Sequence, residues 1–369
     1  MTAGDFKSAF CCQSKKSITR ENDTIENKRN YDTLDIFKFI SSIFVISIHS
    51  NALRNISPLA NSLICGGISR LAVPFFFTCS AFFFFKSETT KEKTVSYSKR
   101  ILKLYLSWFI VMIPITVYER FIANGKPFLT NLLTFVQAIF LSSTFSGSWF
   151  LTSCVFCAWL FFFFKKKNIP RAVIAPLCFV VYLFCCFLSG YGNLIEKLGL
   201  SGAYEIYRTP FRNPYTSIIV GIPYFALGKL FAEREKNKKP LFSKKVSAVC
   251  LFVCTLLLLC EVYFCKKFSL SATTDCYLML FPCTVFIFSL ASESNAKIKK
   301  APVLRKMSTV FYSSHFIWLF CFEALEWVLK VDIASHFKFL GAFVLCFATS
   351  EIFFALKKTK HFSWIGNFY

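Results

Sequence analysis

A lysine and a histidine in one apolar stretch, Lys38 and His49, stand eleven residues apart. At about 100° per residue this spacing returns to within roughly 20° of its starting direction, so both side chains would project from one helix face. A rise of about 1.5 Å per residue separates them by roughly 16 Å, about the reach of an extended pantetheine arm. A coenzyme A thioester whose phosphates bind near Lys38 could thus reach His49, whose imidazole suits a general base or a transient acyl carrier.

A further cation, Arg70, lies in the next apolar stretch. The membrane topology predicted from the basic residues gives Arg70 a depth similar to that of His49. Two such groups at matched depth require a polar cavity, because a charge inside a membrane costs a few kcal/mol. In a dry cavity, Arg70 would stabilise the oxyanion of a tetrahedral intermediate. Asp275 and Glu323 both have a suitable depth to orient the imidazole, and the sequence does not choose between them. The alternative is that these charges snorkel or pair to hold helices together.

Basic residues precede the third apolar stretch, where Arg100 and Lys103 would share one face at the start of a helix. A helix N-terminus favours anions, so the pair suits the phosphates of acyl-coenzyme A. The alternative is a plain positive anchor on the cytosolic side of the membrane.

Two residues at outer helix ends, Trp149 and Arg212, are candidates for contacting an acceptor molecule. Trp149 could instead belong to the aromatic belt at the membrane interface. His315 falls about two turns from the inner end of its predicted span, so we expect it on the opposite side of the bilayer from His49.

The elements that must position these residues are membrane helices. The chain has 369 residues, of which 55% are hydrophobic, and its mean hydropathy is +0.52. The apolar residues form blocks of about 20, the length that crosses a bilayer core of roughly 30 Å. We predict an all-α polytopic membrane protein with ten spans, at 35–53, 66–85, 102–121, 147–164, 172–189, 215–232, 246–264, 272–291, 310–329 and 337–356. Segment 128–141 is apolar but short, and would be interfacial or re-entrant, or would raise the count of spans to eleven.

The basic residues predict the orientation of these spans. With the N-terminus in the cytosol, inside segments hold 29 Lys and Arg residues and outside loops hold 8. This bias indicates that both termini are cytosolic. The predicted organisation is a polar tail at 1–30, a membrane domain at 31–358 and a second tail at 359–369, in a multi-pass protein of the cell membrane.

Several functional classes are disfavoured. The net charge of +23 resides in short loops between apolar blocks, so it indicates topology rather than nucleic-acid binding. Cys154 and Cys157 form a CxxC pair without a second pair at zinc-ligand spacing, so no metal site is expected.

The chain resembles the membrane acyltransferase 3 family, whose members O-acylate surface polysaccharides, lipopolysaccharide and peptidoglycan. The resemblance is carried, in the family's order, by Leu34 to Lys38 with His49, Arg70 to Pro74, Arg100 to Lys103, Ser148 to Leu151, Arg212-Asn213 with Gly221 to Gly228, and Ser308 to His315. Lys38 and Lys103 stand where the family usually has arginine.

This resemblance implies a ten-helix core and an essential histidine at the position of His49. It also implies an acyl group, acetyl in the simplest case, that passes from cytosolic acyl-coenzyme A to a hydroxyl of a surface glycan, a lipid-linked sugar or a cell-wall molecule. Acyl-coenzyme A would be a co-substrate, with no other cofactor. We expect no hydrolase-like domain after the last predicted span, so transfer would be direct or would use a separate extracytoplasmic transferase.

Two other readings remain open at this point. A polysaccharide exporter or flippase would share the fold and the interior charges, but would need neither coenzyme A nor a base at His49. A membrane module that only binds a cell-wall ligand would tolerate changes at Lys38, Arg100 and Lys103.

Overall fold

The computed structural model describes residues 30–202, 205–206, 216–294 and 296–369, and every regular element within them is helical. Arg212 and most of the predicted N-terminal tail lie outside these residues. The helices are α1 Asp32–Ser50, α2 Pro58–Ile64, α3 Ala72–Phe85, α4 Lys91–Val117, α5 Phe128–Leu141, α6 Trp149–Lys166, α7 Arg171–Phe187, α8 Gly192–Lys197, α9 Gly221–Lys236, α10 Lys244–Lys267, α11 Leu280–Ser292, α12 Ala301–Leu329 and α13 Ser335–Lys357. The all-helical prediction is confirmed for the part of the chain that the structure describes.

Among the described residues, six helical stretches are long and apolar enough to cross a membrane: Asp32–Ser50, Pro58–Phe85, Lys91–Ile122, Trp149–Lys166, Lys244–Lys267 and Ser335–Lys357. The apolar helices Phe128–Leu141, Arg171–Phe187 and Leu280–Ser292 are shorter. The total of ten spans and the cytosolic termini therefore stay predictions.

Helix α4 begins earlier than the sequence pattern predicted. The hydroxyl of Thr90 accepts a hydrogen bond from the Lys93 amide and caps the helix, which starts at Lys91. Arg100 and Lys103 consequently lie in its third and fourth turns, both exposed. Their predicted location at a helix N-terminus is wrong, because a polar cap and helix-forming charged residues extend α4 beyond its apolar stretch.

Helix α1 lies between α3 and α12 and packs extensively against both. Its buried serines allow this close approach because their hydroxyls bond to the helix's own carbonyls. The Ser42 hydroxyl donates to the Phe39 oxygen at 2.7 Å and the Ser47 hydroxyl to the Phe44 oxygen at 2.8 Å. Small side chains with satisfied hydroxyls are typical of packed membrane helices.

Helices α3 and α9 are in close contact at Gly228. A Cβ atom at this position would lie 2.5 Å from the carbonyl oxygen of Thr78 and 2.6 Å from the Cβ of Ala81. One of the two contacts is to backbone, so the helices would have to separate to accept any side chain.

We expect Gly228→Ala to lower the free energy of unfolding by roughly 1–3 kcal/mol, because overpacking forces backbone shifts of this cost. The measurement is the melting temperature of the detergent-solubilised protein. Gly202→Ala is the matched control, since a Cβ there meets nothing within 4 Å. Equal melting temperatures for the two variants would show that the α3–α9 contact tolerates separation.

Candidate active site

The His49 imidazole stands at the end of α1, where the backbone leaves the helix. Asn51 takes a left-handed conformation with φ of 50° and ends the helix. The Ser50 hydroxyl donates to the Ile46 oxygen at 2.8 Å, which holds the last turn in place. Ile48 and Ser50 are buried, whereas His49 is exposed. Its side chain lines two cavities inside the protein.

A first cavity, of about 60 Å³, brings His49 together with Arg70, Asp275 and Trp149. Its wall also includes Tyr312. Residues that are far apart in the chain therefore converge at one point beside the imidazole. The predicted topology gave His49 and Arg70 a similar depth, and the structure places them on one cavity.

A second cavity, of about 170 Å³, also borders His49 and is lined by Thr116, Glu119, Ser146 and Glu323. Within the described part of the chain the imidazole has no hydrogen-bond partner. Both ring nitrogens are thus available to a molecule that enters from either cavity. Such an imidazole can remove a proton from a hydroxyl or attack a carbonyl carbon.

Arg70 is held by two side chains. Its Nη1 donates to Oδ1 of Asp275 at 2.5 Å and its Nη2 to the Thr274 hydroxyl at 2.9 Å. Its Nε–H is buried and has no partner among the described residues. Asp275 therefore balances the charge of the guanidinium, and its unpartnered Nε–H could donate to an oxyanion.

The structure gives different environments to Asp275 and Glu323, the two carboxylates between which the sequence does not choose. Asp275 bonds to Arg70, whereas Glu323 lines the second cavity together with His49. Glu119 joins Glu323 there and was not among the predicted site residues. It lies in a π-helical turn, Tyr118–Ile122, that continues α4. Such turns often mark functional sites, but only the unusual charge in an apolar stretch could have indicated Glu119 from sequence.

Trp149 is the first residue of α6 and is only 8% exposed. This burial places it in the cavity wall rather than at a lipid-facing belt. The loop before it is folded by Ser148, whose hydroxyl accepts from the Thr144 amide at 2.9 Å. The Tyr312 hydroxyl donates to the Gly147 oxygen at 3.0 Å, which fixes the loop against α12.

The expectation for His315 is wrong. Its ring centroid lies 5.3 Å from that of His49, and its Nδ1 is 3.0 Å from the Phe311 oxygen. The carbonyl can only accept, so Nδ1 carries the hydrogen, and the buried Nε2 has no described partner. The error arose because α12 begins at Ala301 and has 29 residues. His315 is its middle residue, far from the inner end assumed for a 20-residue span.

The predicted donor residues lie apart from His49. The Lys38 ammonium bonds to Asp35 at 3.2 Å and lies 4.7 Å from the centroid of the Phe83 ring. Lys38 lines neither of the two cavities that contain His49. The passage expected between the two residues therefore stays a prediction. Within the described residues, no three His, Cys, Asp or Glu side chains converge as metal ligands.

A model of the acyltransferase 3 family, described as an acyltransferase domain, matches residues 31–354. The chain belongs to the acyltransferase 3 family. This confirms the resemblance inferred from the motifs, and the match covers the predicted membrane domain except its last few residues.

Curated relatives are distant. Two proteins named amino-acid racemase from Enterococcus faecalis are 23% and 20% identical over 77% and 90% of this chain. A serine/alanine racemase from Enterococcus gallinarum is 25% identical over 70% of it. The alignments cover 39%, 47% and 36% of these relatives, so the chain spans less than half their length. No solved structure matches the chain significantly.

Gly147 provides a test of the site's packing. It has φ of +83°, and a Cβ there would lie 2.7 Å from the Phe316 ring, whose centroid is 4.5 Å from that of His49. We expect Gly147→Ala to displace Phe316 and to change severalfold the rate at which diethyl pyrocarbonate modifies His49, measured by peptide mass spectrometry.

Gly125→Ala is the matched control, because Gly125 also has a positive φ, of +63°, but has open space around it. It reproduces the backbone strain without the clash. If Gly147→Ala and Gly125→Ala change the reactivity of His49 equally, displacement of the Phe316 ring does not affect the imidazole.

Proposed function

We propose that this family member transfers an acyl group, acetyl in the simplest case, from cytosolic acyl-coenzyme A to a hydroxyl of a cell-surface glycan or cell-wall molecule. The observation that carries the proposal is the His49 imidazole, which lies between two cavities with both nitrogens free and Arg70 alongside. The family match supports an acyltransferase. The donor, the acceptor and the role of His49 are our inferences.

In the proposed reaction, His49 removes the proton from the acceptor hydroxyl as its oxygen attacks the thioester carbonyl. The Nε–H of Arg70 stabilises the oxyanion that forms, and a donor of this kind is worth about 10²–10³ in rate. The carbon–sulfur bond then breaks, and the coenzyme A thiolate takes the proton from the imidazolium. In the alternative route, a ring nitrogen of His49 attacks the thioester and carries the acyl group until it passes to the acceptor hydroxyl.

The remaining predicted residues bind the two substrates. Lys38, Arg100 and Lys103 would hold the phosphates of acyl-coenzyme A, and Trp149 would stack on a sugar ring of the acceptor. Arg212 would join Trp149, although it lies outside the described residues. A phosphate binds a lysine as a point charge, so the lysines here contribute charge more than directional bonding.

A polysaccharide exporter is the competing function, and two cavities that share His49 and Phe316 inside a helical bundle favour it. Racemisation is named for the distant relatives, but the aligned region is under half of each relative. Racemase activity is therefore not part of the function that we propose for this chain. Coenzyme A dependence separates the acyltransferase from the exporter.

We expect His49→Gln to lower acyl transfer by about 10²–10⁴-fold, because general acid–base catalysis contributes about that much. The measurement combines mass analysis of surface glycans with transfer of labelled acetyl from acetyl-coenzyme A in isolated membranes. His361→Gln is the control, since His361 is exposed near the C-terminus. If acylation requires the gene but survives His49→Gln, the base is another residue. If the gene does not affect acylation, the exporter is favoured.

The donor site is tested by Arg100→Gln and Lys103→Gln. Each should raise KM for acyl-coenzyme A by about tenfold, because a hydrogen bond to a charged group contributes about 1.5 kcal/mol. Lys99→Gln, an exposed neighbour, is the control for a general loss of charge. An equal KM in all three variants would exclude these residues from phosphate binding.

A further inference from the structure

A third cavity, of about 370 Å³, opens between α7, α9 and α11 and shares no residue with the cavities at His49. Most of its wall is apolar, including Ile174, Ala226, Phe281 and Val285. Its volume falls within the range of about 300–1,000 Å³ that is usual for small-molecule sites. The exposed side chain of Phe179 forms part of its rim.

Charged side chains occur at one end of this groove only, where Arg171, Lys229 and Glu233 line it. Arg171 bonds to Glu233 at 2.8 Å, so these two charges balance. The Lys229 ammonium has no hydrogen bond or ion pair to any described residue, and lies 5.9 Å from the centroid of the Phe161 ring. The mouth of the groove therefore carries a net positive charge.

The length of the groove matches one leaflet of a bilayer. Arg171 and Tyr182 line it and are eleven residues apart on α7, which corresponds to about 16 Å along the helix. The hydrocarbon core of a bilayer is about 30 Å thick, so one leaflet is about half of that. An apolar groove of this depth with a cation at its mouth fits one acyl chain with an anionic headgroup.

We propose that this groove binds an anionic glycerophospholipid, with one acyl chain between α7 and α9 and the phosphate on Lys229. Coenzyme A thioester bound here would be remote from the proposed base, because none of the lining residues borders a His49 cavity. A zwitterionic lipid would leave the charge of Lys229 unbalanced. The site is independent of the proposed acyl transfer and does not rest on it.

The experiment is native mass spectrometry of the purified full chain with added phosphatidylglycerol or phosphatidylcholine. The wild type should retain phosphatidylglycerol preferentially. Lys229→Gln should weaken its retention by about fivefold, the effect of one basic residue at a membrane surface, and leave phosphatidylcholine unchanged. Ala175→Phe should reduce the retention of both lipids by narrowing the groove. Ala175 is an exposed residue of the lining, so this variant is expected to fold.

Lys167→Gln is the matched control, because Lys167 is an exposed cation near the same helix ends but does not line the groove. If Lys167→Gln and Lys229→Gln weaken the retention of phosphatidylglycerol equally, the effect comes from general surface charge. That result would overturn the proposal. Unchanged lipid retention in Ala175→Phe would also overturn it. Displacement of the lipid by equimolar acetyl-coenzyme A would instead make the groove a donor site and end the phospholipid assignment.

Discussion

The ion pair between Arg70 and Asp275 joins two segments that are 205 positions apart in the sequence. Each side chain is only 17% exposed, so neither charge is well hydrated. Loss of one partner would leave the other charge buried without compensation, which is more costly than the pair itself. The pair therefore constrains which way the 3₁₀ turn of Arg70 and the loop of Asp275 can pack. Both residues of the pair line the first cavity beside His49.

The Asp275 loop is held from several directions. The Ser189 hydroxyl accepts from the Cys276 amide at 3.1 Å, and the Tyr182 hydroxyl donates to the Tyr277 oxygen at 2.5 Å. The Glu261 carboxylate accepts from the Met279 amide at 2.9 Å. These contacts satisfy the backbone of an irregular segment inside an apolar bundle, where free amides would be costly. They also position Asp275 with little freedom, which favours a preorganised site.

Three side chains at this place have polar atoms without a partner among the described residues. Along α1, the Ser42 and Ser47 hydroxyls return to the helix backbone, so the helix packs as an apolar element. At its end, His49 has free ring nitrogens, while the buried Nε of Arg70 and Nε2 of His315 have no described partner. Leaving such groups unpartnered has a stability cost that a bound substrate would relieve. These three groups are the structural reason to locate chemistry here rather than at Lys38.

The sequence by itself determined the helical class and the family, because hydropathy and motif spacing are local properties of the chain. It also predicted a common depth for His49 and Arg70. It also indicated Asp275 and Glu323 as candidates, but not their separate environments. Only the tertiary structure decided that Asp275 pairs with Arg70 and that Glu119 joins Glu323. It alone placed His315 beside His49. These facts depend on where helices begin and how distant segments pack, and the polar extensions of α4 and α12 carry no hydrophobic signal that marks their ends.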